Sequence, residues 1–131
     1  MKPLVDSPSA QLLGREILSR DPRTGEARVR YQARPEFLNR NGSIQGGFLA
    51  AMLDLATALA LGAHVPEGGS AATIRLETRY HKPAKPGPML ARARVVNDDG
   101  RTARIEGELA NEAGEIVATA VAEFRIFAKR A

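Results

Sequence analysis

Cysteine and tryptophan are both absent from the 131 residues, and histidine occurs only twice. The first absence excludes disulfides and thiolate ligation, and His64 and His81 stand too far apart in the chain to suggest a metal site. Neither a metal nor a bound cofactor is expected. Aromatic residues make up 5% of the chain, too few for the stacked-ring platforms that hold single-stranded nucleic acid, so nucleic acid is not an expected partner. Long apolar runs are missing as well. The first residues, Met1 to Pro8, contain none, and the most apolar stretch is interrupted by Asp54. No membrane span is expected, and the cytoplasm is the expected compartment.

What is present suits one domain over residues 1–131, since a 44% hydrophobic content can build a core without disulfides or metal. Residues 1–9, with two prolines and small polar groups, read as a loose terminus. The formal net charge of +4 points to an anionic partner such as a phosphorylated small molecule.

The chain is organised around Asn39 to Ala63. Helix-favouring Ala, Leu and Met fill the interior, Ser43 is the expected N-cap, and Gly62 with Pro66 beyond it supplies the stop. Apolar residues occur on every side, so the helix is expected to be enclosed. From Ile44 to Ala63 the only ionisable residue is Asp54, a carboxylate that is costly there unless paired, hydrogen-bonded or used.

Strands are expected on both sides of this helix. Arg15 to Ser19 and Glu26 to Arg34 form a pair around the Asp21 to Gly25 turn, with Ala27, Val29 and Tyr31 alternating against Arg28 and Arg30. Gln11 to Gly14 suits a helical turn. After the helix, Ile74, Leu76, Thr78 and Tyr80 alternate with charged residues, and a proline-rich connection leads to Met89, Ala91, Ala93 and Val95. Turns at Asn97 to Gly100 and Asn111 to Gly114 separate that strand from two more, Arg101 to Leu109 and Ile116 to Phe127. The expected class is α+β, an antiparallel sheet wrapped around one helix.

Several residues have two readings. Gly46 and Gly47 are either a close-packing device or a set of helix N-terminal amides free to bind an anion. Asp54 is either structural, bonded to Thr57 or to a neighbouring chain, or a reacting carboxylate. Gln45 is a cap or a substrate-orienting amide, Asn39 a turn residue or a catalytic-site residue holding the entrance loop or the attacking water, and Thr73 an ordinary strand threonine or a site residue. His64 and His81 read as surface residues.

The motif Asn39-x-x-Gly42-x-x-Gln45-Gly46-Gly47, with Asp54 seven residues after Gly47 and strands on both sides, resembles the hotdog-fold acyl-CoA thioesterases of the phenylacetate-pathway, or PaaI-like, type. The resemblance covers nearly the whole chain after about residue 10. It implies that Asp54 is the catalytic carboxylate, acting as general base or as nucleophile, with oxyanion donors at the amides of Gly46 or Gly47. Gln45 stands where histidine is usual in the family, and Thr73 falls where a hydroxyl helps to hold the attacking water. Gln45 and Asp54 are nine residues apart, about 13 Å along a helix and on opposite sides, so one chain does not close the site. A homodimer is implied, with paired dimers giving a tetramer. Coenzyme A enters as part of the substrate. Its phosphates are expected at basic residues of the Arg79 to Lys85 segment, Lys82 and Lys85 included, and at Arg101 and Arg104, which otherwise read as a solvated strand edge. Phe48, Leu49, Met52 and Leu53 are candidates to line an acyl slot and otherwise ordinary core residues. Two other readings on the same fold are a non-catalytic acyl-CoA-binding or sensor module, and a hydratase or dehydratase lacking its usual histidine.

Overall fold

The computed structural model describes residues 6–128. Its elements, in chain order, are α1 (Pro8–Leu12), β1 (Glu16–Asp21), β2 (Glu26–Ala33), a single 3-10 turn (Pro35–Phe37), α2 (Gly46–Gly62), β3 (Ser70–Tyr80), β4 (Gly87–Asp98), β5 (Thr102–Ala110) and β6 (Ile116–Phe127). All strand pairings are antiparallel, in the order β1-β2-β4-β5-β6-β3. The expected α+β architecture is therefore present. Part of the expected loose terminus is folded: Ser7 caps α1 by accepting a hydrogen bond from the Ala10 amide, while residues 1–5 lie outside the described part.

One face of the sheet holds α2. Ala27, Val29 and Tyr31 of β2, Met89, Ala91 and Ala93 of β4, and Ile105, Gly107 and Leu109 of β5 are all buried, whereas Arg92 and Arg94 of β4 lie exposed on the outer face. This is the period-two burial that the alternation predicts. Short side chains in the middle of the sheet let the helix come close. A Cβ on Gly107 would lie 3.2 Å from the Thr57 methyl and 3.3 Å from a Leu53 methyl. Gly107 therefore fixes how deeply α2 sits, and through it where Asp54 stands.

Turn chemistry sets the strand register. The Asp99 carboxylate accepts from the amides of Arg101 and Thr102, and these bonds hold it below the usual carboxylate range. Asn111 likewise accepts from the Glu115 amide at the next turn.

Three expectations need correction. Ser43 does not cap α2. The N-cap is Gln45, with no side-chain cap bond, because Ser43 is already bound to the side chain of Asn39. The helix is not enclosed within the chain either. Gly47 and Ala58 are exposed, and Ala51 and Asp54 half-buried, along one stripe of positions i, i+4, i+7 and i+11. His64 is not a free surface residue, since its Nδ1 lies 3.2 Å from the Asp98 carboxylate in a half-buried pair.

The open stripe adjoins β3. This strand does not pair with β4, its neighbour in sequence, but crosses to the far edge of the sheet and bonds β6. Its other edge has no strand partner among the described residues. Of its residues only Leu76 and Thr78 are half-buried, and Ile74, at a register shift between Thr73 and Arg75, is 58% exposed.

Candidate functional site

The glycine entrance to α2 is held from three sides. Asn39 Oδ1 accepts from the amides of Asn41 (2.9 Å) and Ser43 (3.2 Å), and its Nδ2 donates to Ser43 Oγ, which closes the loop. The Ile44 amide donates to Ala84 O and the Gln45 amide to Phe37 O, both at 2.8 Å. The Phe48 ring stacks on Phe37 at 4.1 Å and 8°, so it anchors the loop to the first turn of the helix. Asn39 is thus committed to the loop. The Gln45 side chain is exposed and makes no cap bond.

At a helix start the first amides have no partner within the helix. Phe48 N bonds Gln45 O at 2.9 Å, whereas the amides of Gly46 and Gly47 find no partner among the described residues. They are fixed donors at the positive end of a 17-residue helix. The two glycines differ in their surroundings. A Cβ on Gly46 would lie 3.1 to 3.2 Å from the Tyr80 ring and hydroxyl, while a Cβ on Gly47 would meet nothing within 4 Å. Nothing among the described residues demands glycine at position 47.

Asp54 and Thr73 meet: Thr73 Oγ1 donates to Asp54 Oδ1 at 2.9 Å. The Thr57 hydroxyl donates instead to the backbone carbonyls of Leu53 and Asp54, leaving the carboxylate alone. The second carboxylate oxygen of Asp54 has no hydrogen-bond partner among the described residues. The hydroxyl of the fully buried Tyr31 also has no partner among the described residues. Burial pushes that phenol above its usual range; Arg15 opposes the shift and the Asp54 charge adds to it.

The chain does not bring the glycine amides to the carboxylate. Gly47 and Asp54 share the open stripe but stand seven residues apart, about 10 Å along the axis. Lys82 is paired with Glu115 and, together with Asn111, holds that carboxyl below its usual range. Lys85 donates to Gly42 O at 3.2 Å, a brace for the entrance loop. Beside the entrance lies a depression of about 340 Å³, lined by Gly46, Leu49, Tyr80, His81 and Lys82 among others. A larger one, of about 480 Å³, lies across the outer sheet face over ion-paired Arg92, Arg94, Glu106 and Glu108, away from Asp54. Sequence reasoning passed over Phe37 and Tyr80. In the sequence Tyr80 shows only as one position of a strand alternation beside a basic segment.

The family model of the thioesterase superfamily matches residues 41–118, from the entrance loop into β6. The chain belongs to the thioesterase superfamily. Among solved structures it is similar to a candidate thioesterase, a phenylacetic acid degradation-related protein of Ralstonia eutropha. The two share 35% identity over 92% of each chain, with a TM-score of 0.87. It is similar to a mutant form of the phenylacetic acid degradation protein PaaI of Thermus thermophilus, at 32% identity over 93% of this chain and 99% of that one, TM-score 0.80. The E. coli PaaI protein from the phenylacetic acid degradation operon matches at 25% identity over 95% of this chain and 87% of that one, TM-score 0.85. A comparison with curated proteins finds no relative. This superfamily member has the PaaI-like hotdog fold, six antiparallel strands around one long helix, and its relatives support a thioesterase-type function.

Proposed function

We propose that this superfamily member is an acyl-CoA thioesterase that hydrolyses a thioester to the free acid and coenzyme A, using two sites shared across a homodimer. The observation that carries this is the open stripe Gly47, Ala51, Asp54 and Ala58, running beside the unpaired edge of β3. A second copy packed antiparallel along this stripe, with its two-fold axis between Ala50 and Ala51, sets Gly47 of one subunit opposite Asp54 of the other. The small side chains at the axis allow the helices to approach closely. The free edge of β3 offers the partner a row of backbone donors and acceptors.

In such a site the thioester oxygen lies against the Gly46 and Gly47 amides, which stabilise the charge that develops on it. Asp54, steadied by Thr73, either takes a proton from the attacking water or attacks the carbonyl itself. The C–S bond breaks, the thiolate leaves as coenzyme A after taking up a proton, and water supplies the hydroxyl of the acid. The defining test is thiol release from a panel of aryl-, short- and medium-chain acyl-CoAs. Release from at least one supports the reading. Tight binding without release favours the sensor module instead.

Two substitutions separate the roles of the entrance residues. Gln45→Ala is expected to lower turnover only a few-fold, because the Gln45 side chain makes no cap bond and the backbone donors remain. Gln45→His is expected to remain active; measured turnover of both variants on one good substrate checks this. Gly47→Ala is expected to melt no lower than the parent, and up to several degrees higher, since alanine favours a helix by as much as about 1 kcal/mol over glycine. Its turnover should nevertheless fall, because the added methyl stands where the thioester approaches the helix start. Unchanged turnover in Gly47→Ala would mean that this face is open in the active protein.

A further inference from the structure

We propose that Tyr80 is a positioning residue that orients and polarises one oxyanion donor, the amide of Gly47; this rests on the thioesterase reading above. Tyr80 ends the edge strand β3, and its hydroxyl donates to the carbonyl oxygen of Gly46 at 2.9 Å. That oxygen and the Gly47 N–H belong to the same peptide unit. A donor on the oxygen draws electron density through the amide and makes its N–H a stronger donor, the cooperative effect seen in hydrogen-bonded chains. The bond also ties the first residue of α2 to the sheet, which limits rotation of the peptide plane that aims Gly47 N–H.

The surroundings fit a positioning role better than a packing one. Tyr80 is 52% exposed, and its ring lines the depression beside the entrance rather than entering the core. The ring lies so close to Gly46 that any side chain there would displace it, which supplies a reason for glycine at 46 separate from the one at 47. The same strand makes both side-chain bonds to α2 at the proposed site: Thr73 bonds the Asp54 carboxylate and Tyr80 the Gly46 carbonyl. Neither a motif nor the charge pattern of the sequence marks Tyr80.

The test is Tyr80→Phe, which removes one oxygen and keeps the ring. With a good acyl-CoA substrate, kcat is expected to fall roughly tenfold while KM changes by less than about twofold, a smaller loss than the hundred- to thousandfold that follows outright removal of an oxyanion donor. In protein labelled with ¹⁵N-glycine, the Gly47 amide resonance is expected to move. The Gly46 resonance, whose peptide carbonyl is that of Gln45, is expected to stay. An unchanged kcat overturns the proposal, as does a fall in kcat without movement of Gly47. A rise in KM alone would mark Tyr80 as a substrate contact and overturn it too. Failure of the parent protein to release thiol from any acyl-CoA would overturn the thioesterase reading and the kinetic role of Tyr80 together. In that event the spectra still decide whether the hydroxyl polarises the amide.

Discussion

Asp54→Asn is expected to lower thiol release by at least about a thousandfold while acyl-CoA still binds. The substitution keeps the size of the side chain, and the amide carbonyl still accepts the Thr73 hydroxyl that bonds Asp54 Oδ1 at 2.9 Å. What it removes is the oxygen with no partner among the described residues, which is the one free to take a proton or attack. In the proposed site binding depends on the entrance loop and the glycine amides, and these belong to other residues. Calorimetric binding with a non-hydrolysable acyl-CoA, set beside turnover on the matching thioester, measures the two separately. Near-normal turnover in Asp54→Asn would assign the carboxylate a structural role and remove the basis for this mechanism.

Ala51→Glu is expected to convert the proposed dimer into monomers and to abolish turnover. Ala51 lies next to the proposed two-fold axis, so each substitution places a carboxylate against its own symmetry mate. Two like charges removed from water with no cation to pair them cost several kcal/mol. That is enough to dissociate a micromolar assembly. Light scattering reports the mass, and circular dichroism shows whether the chain stays folded. Ile74→Lys on the free edge of β3 is the independent variant. Ile74 is 58% exposed within the chain, so replacing it disturbs the proposed partner contact and not the core. An active, dimeric Ala51→Glu protein would place the shared site elsewhere.

Most of the fold could be read from the residues, because its signals are local. Asp21 to Gly25, Asn97 to Gly100 and Asn111 to Gly114 mark turns through their own side chains and glycines, and β6 begins and ends where its alternation predicts. Pairing is not local. The alternation of Ile74 to Tyr80 says nothing about which strand it will join, and so the crossing of β3 to the sheet edge was invisible. Counting apolar residues around α2 failed for a related reason: Ala51 and Ala58 are equally at home in a core and on a face reserved for a partner. Ser43 was misread as a cap because its contest with Asn39 depends on the shape of the loop. At the site, Asp54 and Thr73, both singled out in the sequence, meet in one hydrogen bond. The Tyr80 hydroxyl was missed because a bond from a side chain to a backbone carbonyl 34 residues away leaves no trace in spacing.

Strand β3 touches Asp54 through Thr73 and Gly46 through Tyr80. In the proposed dimer those two residues of one chain serve different active sites, so each β3 is a mechanical link between them. A ligand that draws Gly46 and Tyr80 together in one site pulls on the strand that steadies the carboxylate of the other. The two sites of a dimer should then communicate, with the second acyl-CoA binding at an affinity different from the first. Titration of a non-hydrolysable acyl-CoA measures both steps. Two equal and independent steps would show the strand to be too stiff to carry the signal.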